Sequence, residues 1–139
     1  RAAVMSELGR GWQKRRGILL DVAPAAAALA LMFWLGLIPL KSLPGPDFEL
    51  ADKMWHLLAF GGLAGLLSRA FVYFGRSGLL AAREASLVAV TLGGLLEVLQ
   101  SFTRYRSADW ADLLADALGV ALAYAMLRGL DSAAARGTA

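Results

Sequence analysis

Apolar runs long enough to cross a lipid bilayer make up most of this chain, and its charges gather toward the ends of those runs. Ile18 to Leu40 carries one charged residue, Asp21, at its start, and closes at Pro39 ahead of Pro44-Gly45-Pro46. Met54 to Phe74 lies between Lys53 and Arg76. Leu79 to Leu99 has Arg83 and Glu84 near one end and Glu97 near the other. Trp110 to Leu130 is interrupted by Asp112, Asp116 and Arg128. Each run is roughly the 20 residues that a helix needs to cross about 30 Å of hydrocarbon. Backbone polar groups in lipid must be satisfied within their own segment, so runs of this kind fold as helices. The last two runs cannot face lipid on every side, because their carboxylates need a bundle interior or a wet cavity.

Composition agrees. The 139 residues are 58% apolar and 18% charged, with a mean hydropathy of +0.57. Soluble domains run about 45–50% apolar with about a quarter charged. The balance excludes a water-soluble globule, a disordered tail and a nucleic-acid module, despite a net charge of +3. With no cysteine there is neither a disulfide framework nor a thiolate metal site. The chain opens on Arg1 rather than methionine, so a longer N-terminus is expected, and nothing resembles a cleaved signal peptide. The expected fold class is all-α: a four-helix transmembrane bundle spanning 18–130, with a basic segment at 1–17 and a tail at 131–139.

Basic residues set the expected orientation. Arg1, Arg10, Lys14, Arg15, Arg16, Arg69, Arg76, Arg83, Arg128 and Arg136 fall on one side, against Lys41, Lys53, Arg104 and Arg106 on the other. The positive-inside rule then places both termini in the cytoplasm. Small residues are expected to serve helix packing: Gly61 and Gly65, Gly93 and Gly94, Gly119, and the alanines of the first run. Trp34, Trp55 and Trp110 suit either interfacial anchors or core, and Trp12 suits the inner surface.

The polar residues collect at the outer end. Asp52 and His56 share a helix face, as do Glu97 and Gln100, and as do Asp109, Asp112 and Asp116. Arg104 and Arg106 lie in the short connection before the fourth run. Asp116 sits roughly 10 Å deeper than Asp109 at 1.5 Å per residue. An unpaired carboxylate at such depth costs about 2.5–3.5 kcal/mol. Three readings compete. One is an internal ion-pair network, with Arg104 and Arg106 neutralising acids and Asp109 capping the fourth helix. Another is an outward pocket for a polar headgroup. The third is an ion or proton path, which is weakened because the polar residues do not continue to the inner face.

His56, whose intrinsic pKa lies near neutrality, is the candidate acid or base, with Glu97 and Asp109 beside it. Asp52, Lys53, Gln100, Arg104, Arg106, Asp112 and Asp116 are candidate binding residues. An arginine fork suits a phosphate. One histidine with Asp52, Glu97, Asp109 and Asp112 could serve a hard divalent cation, yet no H-E-x-x-H or comparable motif is present, so neither a metal nor a cofactor is expected. There is no nucleophile elbow or P-loop, and no spacing singles out Ser101 or Ser107 as a nucleophile.

At these residues the chain resembles the VanZ-like membrane proteins. Asp52-Lys53-Met54-Trp55-His56 with Phe60 is similar to the family's D-K-x-x-H-x-x-x-F block, Glu97-Val98-Leu99-Gln100 to its E-x-x-Q, and Arg106 through Asp112 with Gly119 to its R-x-x-D-x-x-D segment. The resemblance covers about Lys41 to Arg128. One departure stands out, since the family usually carries Asn where this chain has Asp116. The resemblance implies a multi-pass protein of the bacterial cell envelope with a role in glycopeptide (teicoplanin) resistance. A phosphotransbutyrylase label attached to some members finds no acyl-phosphate or CoA site here. The expected partners are membrane lipids, an anionic or lipid-linked envelope ligand, and no nucleic acid. The alternative is an accessory subunit of a larger membrane complex.

Topology is directly testable. Reporter fusions after Gly45 and Thr103 are expected to read outside, and fusions after Gly75 and Gly137 cytoplasmic. A cytoplasmic signal at Gly45 would turn the polar end inward.

Overall fold

The computed structural model describes residues 12–38, 49–104 and 109–137. Four helices account for nearly all of them: α1 (Trp12–Leu37), α2 (Glu49–Tyr73), α3 (Gly78–Ser101) and α4 (Trp110–Gly137). There is no strand among the described residues. All four helices are long and apolar enough to span a membrane. The helix α1 begins at Trp12, upstream of the apolar run itself, and carries Lys14, Arg15 and Arg16 in its first turns.

Helices α2, α3 and α4 form a tight three-helix core, and α1 leans on its side. Its most apolar window is only 6% buried, against 33% for α2 and for α3. The centre of the core is Phe60, Leu63 and Ala64 of α2, Ala89 and Leu96 of α3, and Val120 of α4. Helix association in lipid gains little from the hydrophobic effect, so close van der Waals packing must supply the stability. The sequence of α3 meets that need with a buried ladder at four-residue spacing: Ala81, Ala85, Ala89, Gly93 and then Glu97. Small side chains let the neighbouring helices close in along this stripe, and the stripe ends at the polar cluster.

The closest approach is between α2 and α4. A Cβ on Gly61 would lie 2.9 Å from the Gly119 carbonyl oxygen, and one on Gly119 would run into the Leu57 carbonyl. Gly93 likewise faces Phe60 and Asp116. Gly65 and Gly94, expected to pack as well, face open space. The alanines of α1 are mostly exposed, with Ala25 the buried exception. The tryptophans Trp34, Trp55 and Trp110 lie on the outer surface rather than in the core.

Two local features position the helices. Pro24 lacks an N–H and its ring crowds the carbonyl one turn back. The helix answers with a wide turn over Ile18–Val22, where the Ala23 N–H reaches back to the Ile18 carbonyl. Asp21 in that turn pairs with Arg69 of α2 at 2.6 Å. Between α2 and α3, Gly75 adopts φ +90°. The Arg76 N–H bonds the Phe71 carbonyl at 3.0 Å and the Gly75 N–H bonds Val72 at 2.9 Å. These are the two bonds of a Schellman stop, which needs a left-handed residue. Arg76 then pairs with Glu84 at 3.0 Å.

Glycine substitution tests the packing. Gly119→Ala should lose about 1–3 kcal/mol of stability, because its new methyl meets backbone that cannot move aside. Gly65→Ala should be neutral or mildly stabilising, since it meets open space and improves helix propensity by about 0.5–1 kcal/mol. Thermal unfolding of the purified variants in detergent reads both.

Candidate functional site

The buried polar residues sit where α2 begins, α3 ends and α4 begins. From α2, Asp52, Lys53 and His56 fall within the first turns. His56 is 8% exposed, with its ring stacked against Phe60 at 6.3 Å between centroids. From α3, Glu97 and Gln100 end the buried face. From α4, Asp112 and Asp116 point into the core, and Asp116 has no exposed surface at all.

A chain of contacts joins them. His56 Nδ1 lies 2.9 Å from Asp116 Oδ1. A carboxylate can only accept, so this bond needs the imidazole proton on Nδ1. His56 Nε2 is 3.9 Å from Asp112 Oδ2. Asp112 pairs with Lys53 at 3.4 Å, and Lys53 also reaches Asp109 at 3.3 Å. The Asp109 N–H donates to Glu97 Oε2 at 2.9 Å, while its own carboxylate accepts the Ala111 N–H at 2.8 Å. Asp109 is therefore the N-cap of α4. The glutamate that satisfies the cap's own N–H comes from α3 rather than from the third residue of the same helix, as it would in a capping box. Glu97 thereby ties the end of α3 to the start of α4. Among the described residues, two buried oxygens, Glu97 Oε1 and Asp116 Oδ2, have no hydrogen-bond partner.

The site residues named from sequence separate into three groups. His56, Lys53, Glu97, Asp109, Asp112 and Asp116 share the chain of contacts just described. Asp52 and Gln100 sit beside it and line a groove together with His56. Arg104 is exposed and pairs with no carboxylate among the described residues, so Lys53 is the counter-ion that the two aspartates use. Arg106 lies outside the described residues. Sequence reading missed the contribution of α1. Gln100 donates from Nε2 to the Gly36 carbonyl at 3.1 Å, and Met32, Leu35 and Gly36 form one wall of the groove. The signal available was Gly36, a glycine within an otherwise bulky apolar stretch. The groove has a volume of about 310 Å³ and is mostly apolar, with Asp52, His56 and Gln100 as its polar lining.

Three-donor groupings able to hold a cation occur twice among the described residues, as His56–Glu97–Asp116 and as Asp52–His56–Asp112. Asp109 lies outside the spanning segments. Its acceptance of the Ala111 N–H, and then of the Lys53 ammonium, holds its carboxyl below the usual carboxylate range.

Fold and site together define a multi-pass, all-helical membrane protein with a buried acid–histidine cluster at one end of its bundle. The family model described as VanZ/LLP1 matches residues 12–131. The chain belongs to that family. No curated protein and no solved structure matches it.

The Asp109 cap carries a pH signature. A carboxyl with a depressed folded-state pKa contributes stability above its unfolded pKa of about 3.9 and loses it as pH falls through the folded value. Asp109→Asn should keep the cap but flatten the acid limb of the melting-temperature profile, whereas Asp109→Ala should lower the melting temperature at neutral pH.

Proposed function

We propose that this chain binds an amphiphile of the cell envelope at the outer face of the bacterial inner membrane. The observation that carries the reading is the groove between α1, α2 and α3, which is apolar along its walls and ends at Asp52, His56 and Gln100. Concave, mostly apolar sites with a few convergent polar groups are where small molecules bind. The bias of basic residues toward the opposite ends of the helices supports the outward orientation.

The chemistry of the polar end narrows the ligand. Among the described residues, Asp52, Glu97, Asp109, Asp112 and Asp116 outnumber the cations Lys53 and His56 beside them. An end so rich in acceptors favours a headgroup that brings donors, such as sugar hydroxyls or amines. A bare anionic headgroup needs a cation to accompany it. A lipid-linked intermediate bearing hydroxyls fits best, and glycopeptide protection follows if the bound molecule is one on which the drug acts.

Native mass spectrometry of the chain released from bacterial membranes should find one amphiphile retained per protein. Ala59→Phe, which fills the groove, should lose it while the melting temperature holds. Equal retention by this variant, or no retention by the wild type, would refute the reading and favour the accessory role. In a glycopeptide-susceptible host, His56→Gln and Arg106→Lys should each reduce any protection that the wild type confers.

A further inference from the structure

We propose that His56, Glu97 and Asp116 form a binding site for one divalent d-block cation of the Zn²⁺ or Mn²⁺ kind. The three residues come from three helices, α2, α3 and α4, and each offers a donor atom within 4.8 Å of the other two. All three are more than nine-tenths buried. The inference goes beyond the groove reading and does not depend on what occupies the groove.

The two partnerless oxygens carry the argument. Glu97 Oε1 and Asp116 Oδ2 are each buried without a hydrogen-bond donor. Buried polar atoms nearly always have a partner, and a carboxylate oxygen without one is costly. Both belong to residues of one donor grouping, and no donor among the described residues relieves either. A cation held among His56, Glu97 and Asp116 brings positive charge to both carboxylates. The alternative grouping of Asp52, His56 and Asp112 makes no such demand, because Asp112 already has Lys53 and Asp52 is exposed.

Geometry and surroundings agree with a metal. His56 Nδ1 and Asp116 Oδ1 are 2.9 Å apart. Neighbouring ligands of an octahedral ion with bonds of about 2.1 Å are separated by about 3 Å. Gly93 lets Asp116 Oδ2 sit close against the α3 backbone, where a Cβ would come within 2.7 Å of it. Glu97 is held from outside by the Asp109 N–H on its other oxygen. Ligation through His56 Nδ1 moves the imidazole proton to Nε2, which faces Asp112 Oδ2 at 3.9 Å. A carboxylate behind a ligating histidine is the usual outer-shell support of such sites. Two carboxylates balance a divalent charge, and the imidazole selects against Mg²⁺ and Ca²⁺. Three protein ligands leave one position open in a tetrahedral ion and more in an octahedral one, for water or a ligand oxygen.

The full chain in detergent, stripped with a chelator and dialysed, is titrated with Zn²⁺ by calorimetry and with Mn²⁺ by electron paramagnetic resonance. One ion should bind per chain in the micromolar range or tighter, and Zn²⁺ should raise the melting temperature. Asp116→Asn and Glu97→Gln should each weaken binding by at least about tenfold, whereas Glu84→Gln, at the far end of α3, should not. Absence of saturable binding to the wild type would overturn the proposal and assign the two oxygens to protonated acids. Unchanged affinity in Asp116→Asn would overturn it as well, and that variant keeps the shape of the side chain, so its fold can be checked by helicity and melting. Zn²⁺ binding without a retained amphiphile would leave this site standing and remove the groove reading. A retained amphiphile without metal binding would do the reverse.

Discussion

A carboxylate with no exposed surface in a membrane helix has to be answered by its neighbours, and Asp116 organises the bundle around that demand. Its first answer is the 2.9 Å contact to His56. At the same level α2 and α4 lie closer than ordinary side chains permit. Gly61 and Gly119 allow it, with the Leu57 carbonyl one residue after His56 resting against Gly119. Gly93 on α3 makes room for the remaining carboxylate oxygen. Backbone contact and polar contact are therefore one arrangement: where the helices can touch, the histidine can reach.

The two ends of the bundle use charge differently. At the end away from the cluster, Arg69–Asp21 and Arg76–Glu84 are short pairs, but the arginine side chains are 62% and 55% exposed. Exposed pairs contribute little to stability, and these two mainly orient a helix start and a turn. At the cluster end, His56, Glu97, Asp112 and Asp116 are removed from solvent. Removing one partner there leaves a buried charge, which is far more costly than never having had the pair. That asymmetry, rather than the number of charges, separates the candidate site from the charges that serve only to finish a helix.

Four apolar runs, read against bilayer thickness, made the helices legible from the sequence, and the spacing of Asp52 with His56 and of Asp109 with Asp112 and Asp116 marked the polar faces. What could not be read was partner choice between helices. Arg104 in the loop looked like a natural counter-ion, yet Lys53 pairs with both Asp109 and Asp112 because the first turn of α2 lies against the first turn of α4. A glycine pair spaced by four looked like one packing device, but only Gly61 meets a neighbour, since which glycine faces inward depends on how the helix is rotated. The alanine ladder of α3 is a plain four-residue period in the sequence, but alanine content alone points to α1, whose alanines are mostly exposed. The widened turn before Pro24 had a plain cause in the missing N–H. A three-helix donor set leaves no local motif at all, because its members are 41 and 19 positions apart (from 56 to 97 and from 97 to 116).

The identity of residue 116 has a further consequence. The resemblance to the VanZ-like proteins puts asparagine at this position. An amide there would still accept the His56 Nδ1–H through its oxygen, and it would turn an N–H donor toward the place that Asp116 Oδ2 occupies, so the cluster could be satisfied within the protein. Aspartate replaces that donor with lone pairs, leaving Asp116 Oδ2, like Glu97 Oε1, without a partner among the described residues. Exchanging one amide for one carboxylate thus trades a donor for lone pairs and adds a negative charge at the most buried polar residue of the cluster.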